Sequence, residues 1–111
     1  MSASAPLPGT LSITRDVEDG TLSIALVGEL DLAGAGQLEA CLEQAEREGR
    51  ARLVIDLGGL AFIDSTGLRL LLQADARARE RGCELLLRRG EPSVQRVFEV
   101  TGALDVLRFQ D

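Results

Sequence analysis

The stretch Leu60-Ala61-Phe62-Ile63-Asp64-Ser65-Thr66-Gly67-Leu68 runs from the end of a buried strand into the start of a helix. Upstream, Leu53-Val54-Ile55 is a short apolar run that reads as a central strand covered on both faces. Downstream, Leu68, Leu71 and Leu72 form the inner stripe of a helix predicted over 65–81. Asp75 and Arg79 make an i,i+4 pair on it, and Gly82 ends it. A buried strand passing directly into an amphipathic helix is the first half of a strand–helix–strand unit, so the rest of the chain is read outward from here.

Toward the N-terminus, Leu22, Ile24 and Leu26 alternate, as do Leu11, Ile13 and Val17, with Arg15 on the same parity. Asp19-Gly20 between them is a hairpin turn, because glycine tolerates positive φ. Residues 34–48 switch to helical spacing: Leu38, Cys41, Leu42 and Ala45 face inward, Glu39, Glu43 and Glu46 face outward, and Gly49 stops the helix. Toward the C-terminus, Cys83 to Leu87 reads as a strand. Pro92 to Val100 reads as a short helix with Val94, Val97 and Phe98 inward and Gly102 as its stop, and Val106 to Phe109 as a last strand. The order is β-β-α-β-α-β-α-β. It predicts an α/β fold, a mixed sheet of about four to five strands with helices packed on it and right-handed crossovers. Residues 1–9, made mostly of Ser, Ala, Pro and Gly, are expected to be a flexible leader, and residues 10–111 a single domain without linker or internal repeat.

Composition excludes several chemistries. The chain has 111 residues, a net charge of −6, no His, Trp or Tyr, and no Lys or Asn. A Ser–His–Asp triad, a Cys–His dyad and a His-containing zinc site cannot be built, and a P-loop lacks its lysine. No metal site or bound cofactor is expected. An acidic domain with three aromatic residues is poorly suited to grip a phosphate backbone, so no nucleic-acid partner is expected. No secretory signal is visible, and no apolar run approaches the ~20 residues of a membrane helix; a soluble cytoplasmic protein without membrane contact is expected. Cys41 and Cys83 then read as reduced, buried, small apolar residues.

Asp64, Ser65 and Thr66 are all good residues for a helix N-terminus, and capping alone would account for them. Gly67 asks for more. A glycine in the first turn weakens a helix by roughly 0.5–1 kcal/mol relative to alanine. Its missing side chain reads as room for a partner backbone or a phosphate beside Ser65. A phosphoryl group there would meet free N–H groups and the positive end of the helix dipole, so the domain would tolerate it.

These residues bring a resemblance. From Leu11 to Phe109 the chain resembles the bacterial STAS-domain anti-sigma factor antagonists, which bind serine-kinase anti-sigma factors. Three blocks carry it: Val27-Gly28-Glu29-Leu30-Asp31, the signature Phe62-Ile63-Asp64-Ser65-Thr66-Gly67-Leu68, and Pro92 through Gly102. The resemblance implies that Ser65 is the phosphorylated residue, with Thr66 as the competing acceptor. It implies that the loop holding Asp31 lies near Ser65 and helps the kinase dock; Asp31 could equally be an ordinary residue leading into the helix before Gly34. For Asp64 it implies a neighbour that orients the hydroxyl or is needed for recognition, against a plain cap. Two positions depart from the relatives' pattern. Gly34 stands where a polar residue such as Thr is usual and would serve as a passable N-cap. Arg69 stands where some relatives are uncharged, either as a solvated charge or as a selector of an acidic partner surface.

The function implied is partner switching in transcription, in settings such as the stress response. The unmodified chain would bind an anti-sigma factor serine kinase through Asp31, Asp64, Ser65, Thr66, Gly67 and Arg69, freeing a sigma factor. Phosphorylation of Ser65 would release it, and a PP2C-type phosphatase would reset it. The chain would be a substrate and not an enzyme, with ATP and Mg²⁺ supplied by the kinase, and a monomer or weak dimer. The rival readings are a STAS accessory subunit of a lipid-transport ABC complex, a STAS subunit of a larger stress-signalling assembly, and, from another class, a small hydrolase or nucleotide-binding enzyme.

Overall fold

The alternation at the N-terminus forms a hairpin. In the computed structural model, which describes residues 10–110, β1 (Leu11–Glu18) pairs antiparallel with β2 (Thr21–Leu30). Asp19 and Gly20 join them with φ of 53° and 78°, the pair of left-handed residues that a tight two-residue turn requires. The leader expected over residues 1–9 lies outside the described residues.

The chain continues through α1 (Leu32–Glu48), β3 (Arg52–Ile63), α2 (Ser65–Arg81), β4 (Glu84–Arg88), α3 (Pro92–Thr101), a 3-10 turn (Ala103–Asp105) and β5 (Phe109–Gln110). The sheet has five strands in the order β1-β2-β3-β4-β5, and every pairing after the first is parallel. The expected element order and mixed sheet are therefore what the chain forms. Alternate strand residues, Leu22, Ile24 and Leu26, Leu53 and Ile55, Leu85 and Leu87, join Leu38 and Leu42 of α1, Leu71 and Ala74 of α2, and Val94 and Phe98 of α3 in one buried cluster. The opposite parity carries charge: Arg52 pairs with Glu84 across β3 and β4 (2.7 Å), and Arg88 with Asp56 (3.8 Å). Asp75 is buried and takes its ion pair from Arg79, as the i,i+4 spacing predicted (2.8 Å).

Several expectations are corrected. The central strand is no short run but 12 residues long, and it passes through Gly58-Gly59. Its pairing with β2 slips twice, between Ala25 and Val27 and between Gly28 and Glu29, and each time β3 spends one residue more than its neighbour. Each bulge resets which residue faces inward. Leu57, Leu60 and Ile63 are therefore all buried at a spacing of three, where unbroken alternation allows only two. The helix expected over 34–48 starts at Leu32, because Asp31 and not Gly34 is its cap.

No strand starts at Val106, which is about half exposed. The segment first makes the 3-10 turn, and β5 pairs only two residues with β4. Phe109 is held by edge contact with the Phe98 ring (5.3 Å between centroids) and by the Arg89 guanidinium over its face (5.3 Å). The strand expected from Cys83 begins at Glu84. Cys41 and Cys83 are free but only half-buried, as are Leu72 and Val97, while Val17 is exposed at the tip of the hairpin.

Candidate functional site

Two helices start side by side at one edge of the sheet. β2 and β3 run parallel and finish in register, with Leu30 opposite Ile63. The next residue of each chain segment is an aspartate in extended conformation, Asp31 before α1 and Asp64 before α2. Each carboxylate folds forward over its helix. Asp31 Oδ1 accepts from the Gly34 N–H (3.2 Å) and Asp64 Oδ1 from the Gly67 N–H (3.0 Å). Asp31-Leu32-Ala33-Gly34 and Asp64-Ser65-Thr66-Gly67 thus make the same capped turn twice. The Leu30 carbonyl ties the turns together by accepting from the Asp64 N–H (3.1 Å).

Both glycines are buried for the same reason. A Cβ on Gly67 would stand 2.5 Å from Leu30 Cγ and 3.0 Å from the Leu30 carbonyl oxygen. A Cβ on Gly34 would stand 3.1 Å from Leu11 Cβ. The first turn of α2 is pressed onto Leu30 so closely that a side chain would force a shift, and the first turn of α1 lies against Leu11 with little room to spare. This corrects the reading of Gly67 as room for a partner: its bare Cα faces Leu30, inside the domain.

The consequence is the placement of Ser65. It is the first residue of α2, it is exposed, and among the described residues its hydroxyl has no hydrogen-bond partner. Thr66 is half-buried, whereas Arg69 is exposed one turn further along α2. Asp31 and Asp64 are both half-buried, and each follows directly on one of the paired residues Leu30 and Ile63. Asp31 is a cap, the ordinary helix-entry role that the sequence offered for it. Asp64 is a cap; its carboxylate makes no hydrogen bond to the Ser65 hydroxyl.

Two residues at this edge escaped the sequence reading of the site. Leu32, the α1 counterpart of Ser65, is 74% exposed, and Phe62, two residues before Asp64, is 47% exposed. Leu32 did leave a signal: it lies six residues before Leu38, about 240° round a helix, well off the inner stripe.

The shifted acid–base groups lie elsewhere, at the far end of α1. Arg15 on β1 donates to Glu48 Oε1 (2.6 Å). That hydrogen bond holds the Glu48 carboxyl below the usual carboxylate range and raises Arg15 in turn. Burial pushes the Cys41 thiol up. Among the described residues no three or more Cys, Asp or Glu gather to hold a metal ion, and no helix is long and apolar enough to cross a membrane.

A mixed five-stranded sheet, two aspartate-capped helices starting side by side at one edge, and an exposed serine at the tip of the second are the features to set beside known proteins. The family model described as "Mlab, STAS domain" matches residues 13–108, and the chain belongs to the STAS-domain family of anti-sigma factor antagonists. It is 40% identical over 96 residues to BtrV of Bordetella bronchiseptica, named as a candidate anti-sigma factor antagonist, covering 86% of this chain and 83% of that one. Among solved structures, an anti-sigma factor antagonist from Mycobacterium paratuberculosis superposes with a TM-score of 0.81 at 25% identity, over 93% of this chain and 87% of that one. The Bacillus cell fate determinant SpoIIAA in its phosphorylated form shares the fold, with a TM-score of 0.69 at 23% identity over 92% of each chain.

Proposed function

We propose that this chain is an anti-sigma factor antagonist switched at Ser65. Unmodified, it binds an anti-sigma factor serine kinase at the edge formed by Asp31, Asp64, Ser65 and Thr66, with Arg69 at its margin, and a sigma factor is freed. The kinase then phosphorylates Ser65 and the complex dissolves. A PP2C-type phosphatase removes the phosphate. The cycle places the chain in the cytoplasm as a monomer or weak dimer, a substrate and competitive binder and not an enzyme. Without Lys, His or a phosphate-cradling loop it brings little to phosphoryl transfer beyond the acceptor hydroxyl. ATP, Mg²⁺ and the base belong to the kinase.

The observation that carries this reading is the exposure of Ser65 at the tip of α2, with its hydroxyl unengaged, while Thr66 behind it is half-buried. Phosphorylation adds about −1.5 to −2 charge. In the free protein that charge sits at a helix N-terminus, which favours it. In the complex the same charge is dehydrated beside Asp31 and Asp64, against a surface that accepted a neutral hydroxyl. The difference between these two environments drives release, because a modification shifts an equilibrium only by its differential interaction with the two states. A difference of ~2.8 kcal/mol already weakens binding a hundredfold.

Incubation with the host's anti-sigma factor kinase and Mg-ATP, followed by phosphopeptide mass spectrometry, tests the proposal. Phosphate on Ser65 is expected, and Ser65→Ala should hold the kinase without being released. Phosphate confined to Thr66, or a Ser65→Ala variant released by ATP as the parent is, would overturn it.

A further inference from the structure

The kinase needs more than an exposed hydroxyl to select Ser65, and the edge around it offers a specific grip. Leu32 stands at the position in α1 that Ser65 occupies in α2, one residue past its aspartate cap. The strand register that sets Asp31 beside Asp64 therefore sets Leu32 on one flank of Ser65. Phe62 lies three residues before Ser65, next to last in β3. It pairs with Glu29 in the register and precedes Ile63, whose side chain is buried, so Phe62 projects away from the helix-covered core. These two are among the few large apolar side chains left exposed in the described residues.

The start of α1 carries no charge. From Leu32 to Leu38 the chain reads Leu-Ala-Gly-Ala-Gly-Gln-Leu, without one charged residue in a protein that is 27% charged. Gly36 has open space around its Cα. Three half-buried carboxylates adjoin Leu32 and Phe62: Asp31 precedes Leu32, Asp64 follows Phe62 by two residues, and Glu29 pairs with Phe62 in the register. Arg69 is the sole basic residue in the first nine of α2. An apolar contact with an acidic rim fits a partner that presents apolar recesses ringed by basic side chains.

We propose that Leu32 and Phe62 are the apolar anchors by which the modifying serine kinase docks astride Ser65, with basic residues of the kinase facing Glu29, Asp31 and Asp64. The proposal rests on the reading of Ser65 as the kinase's target. An enzyme whose catalytic centre reaches a hydroxyl at a helix tip must cover the surface contiguous with it, and Leu32 and Phe62 are the side chains whose burial there gains most.

The test uses the full chain and the purified anti-sigma factor serine kinase of the source organism, with Mg-ATP, and follows Ser65 phosphorylation at varied protein concentration. Leu32→Ser and Phe62→Ser are each expected to raise KM by about tenfold or more while kcat stays within about twofold, the signature of lost docking. Leu32→Met should keep the parent's KM, as should Val100→Ser, at an exposed apolar residue in the last turn of α3. Leu32 makes little contact with the core, so its variant keeps the fold and decides the matter even if Phe62→Ser is destabilised. An unchanged KM for Leu32→Ser, or a fall in kcat with KM intact, overturns the anchors while leaving the Ser65 switch in place. A parent chain that the kinase neither binds nor phosphorylates overturns the switch itself, and the anchors with it.

Discussion

At the scale of single residues, three glycines in the two capped helices should respond differently to the same added methyl. Gly67→Ala gains up to about 1 kcal/mol in helix propensity. It also drives a Cβ to 2.5 Å from Leu30 Cγ and 3.0 Å from the Leu30 carbonyl, where neither atom is a free side-chain end. Overpacking of that kind costs about 1–3 kcal/mol, so a net loss of up to about 2 kcal/mol is expected. Gly36→Ala meets nothing within 4 Å and should stabilise by about 0.5–1 kcal/mol. Gly34→Ala, with Leu11 Cβ at 3.1 Å, should fall between the two. Urea midpoints of the three variants settle the order; a Gly67→Ala more stable than Gly36→Ala would contradict the packing described. The residue type of Asp64 was enough to announce a cap. What Gly67 is for was not legible, because the atom it makes room for belongs to Leu30, on another strand and far away in the chain. Local sequence grammar registers an unusual glycine but not the neighbour that demands it.

At the scale of elements, the ends of α1 are fixed by two different devices, and each can be probed apart from the other. Its N-terminus depends on Asp31, and Asp31→Ala should lose about 1 kcal/mol in a urea titration, as should Asp64→Ala at α2. The other end is linked to β1 by the Arg15–Glu48 pair. Glu48 titrates below the usual carboxylate range because Arg15 donates to it. A carboxyl with a depressed folded pKa contributes stability above its unfolded pKa and loses it as pH falls through the folded value. The stability gap between parent and Arg15→Ala is therefore expected at pH 7, to shrink as acid protonates Glu48, and to narrow with added salt, since the pair lies at the surface. A gap that widened toward acid would refute the assignment. Element type and order were readable because the periods of Leu22/Ile24/Leu26 and of Leu38/Leu42/Ala45 are unambiguous. Boundaries failed where tertiary contacts override the local pattern. Leu53-Val54-Ile55 looks like a whole strand, yet parallel pairing with β2 carries it on past one bulge before Gly59 and a second at Ala61. Val106 looks like the start of a strand, yet the Phe98–Phe109 contact fixes the segment three residues later.

At the scale of the whole molecule, the proposed switch requires that a charge at Ser65 alter association while leaving the fold alone, and the two effects separate cleanly in one variant. Ser65 contributes no side-chain hydrogen bond and little burial, so Ser65→Asp removes nothing from the core. The new carboxylate sits at the N-terminus of α2, where negative charge gains about 0.3–1 kcal/mol. Asp31 and Asp64, both close and both partly occupied by their cap bonds, oppose that gain. These contributions nearly cancel, and the urea midpoint of Ser65→Asp should stay within about 0.5 kcal/mol of the parent with an unchanged circular dichroism spectrum. Binding to the kinase offers no such cancellation. There the carboxylate is dehydrated against a surface matched to a hydroxyl, and a loss of a hundredfold or more is expected by titration calorimetry. A variant that lost stability along with affinity would mean that the mark acts by loosening α2 from the Leu30 contact. A variant that kept both would mean that charge at the helix tip is not what ends the complex.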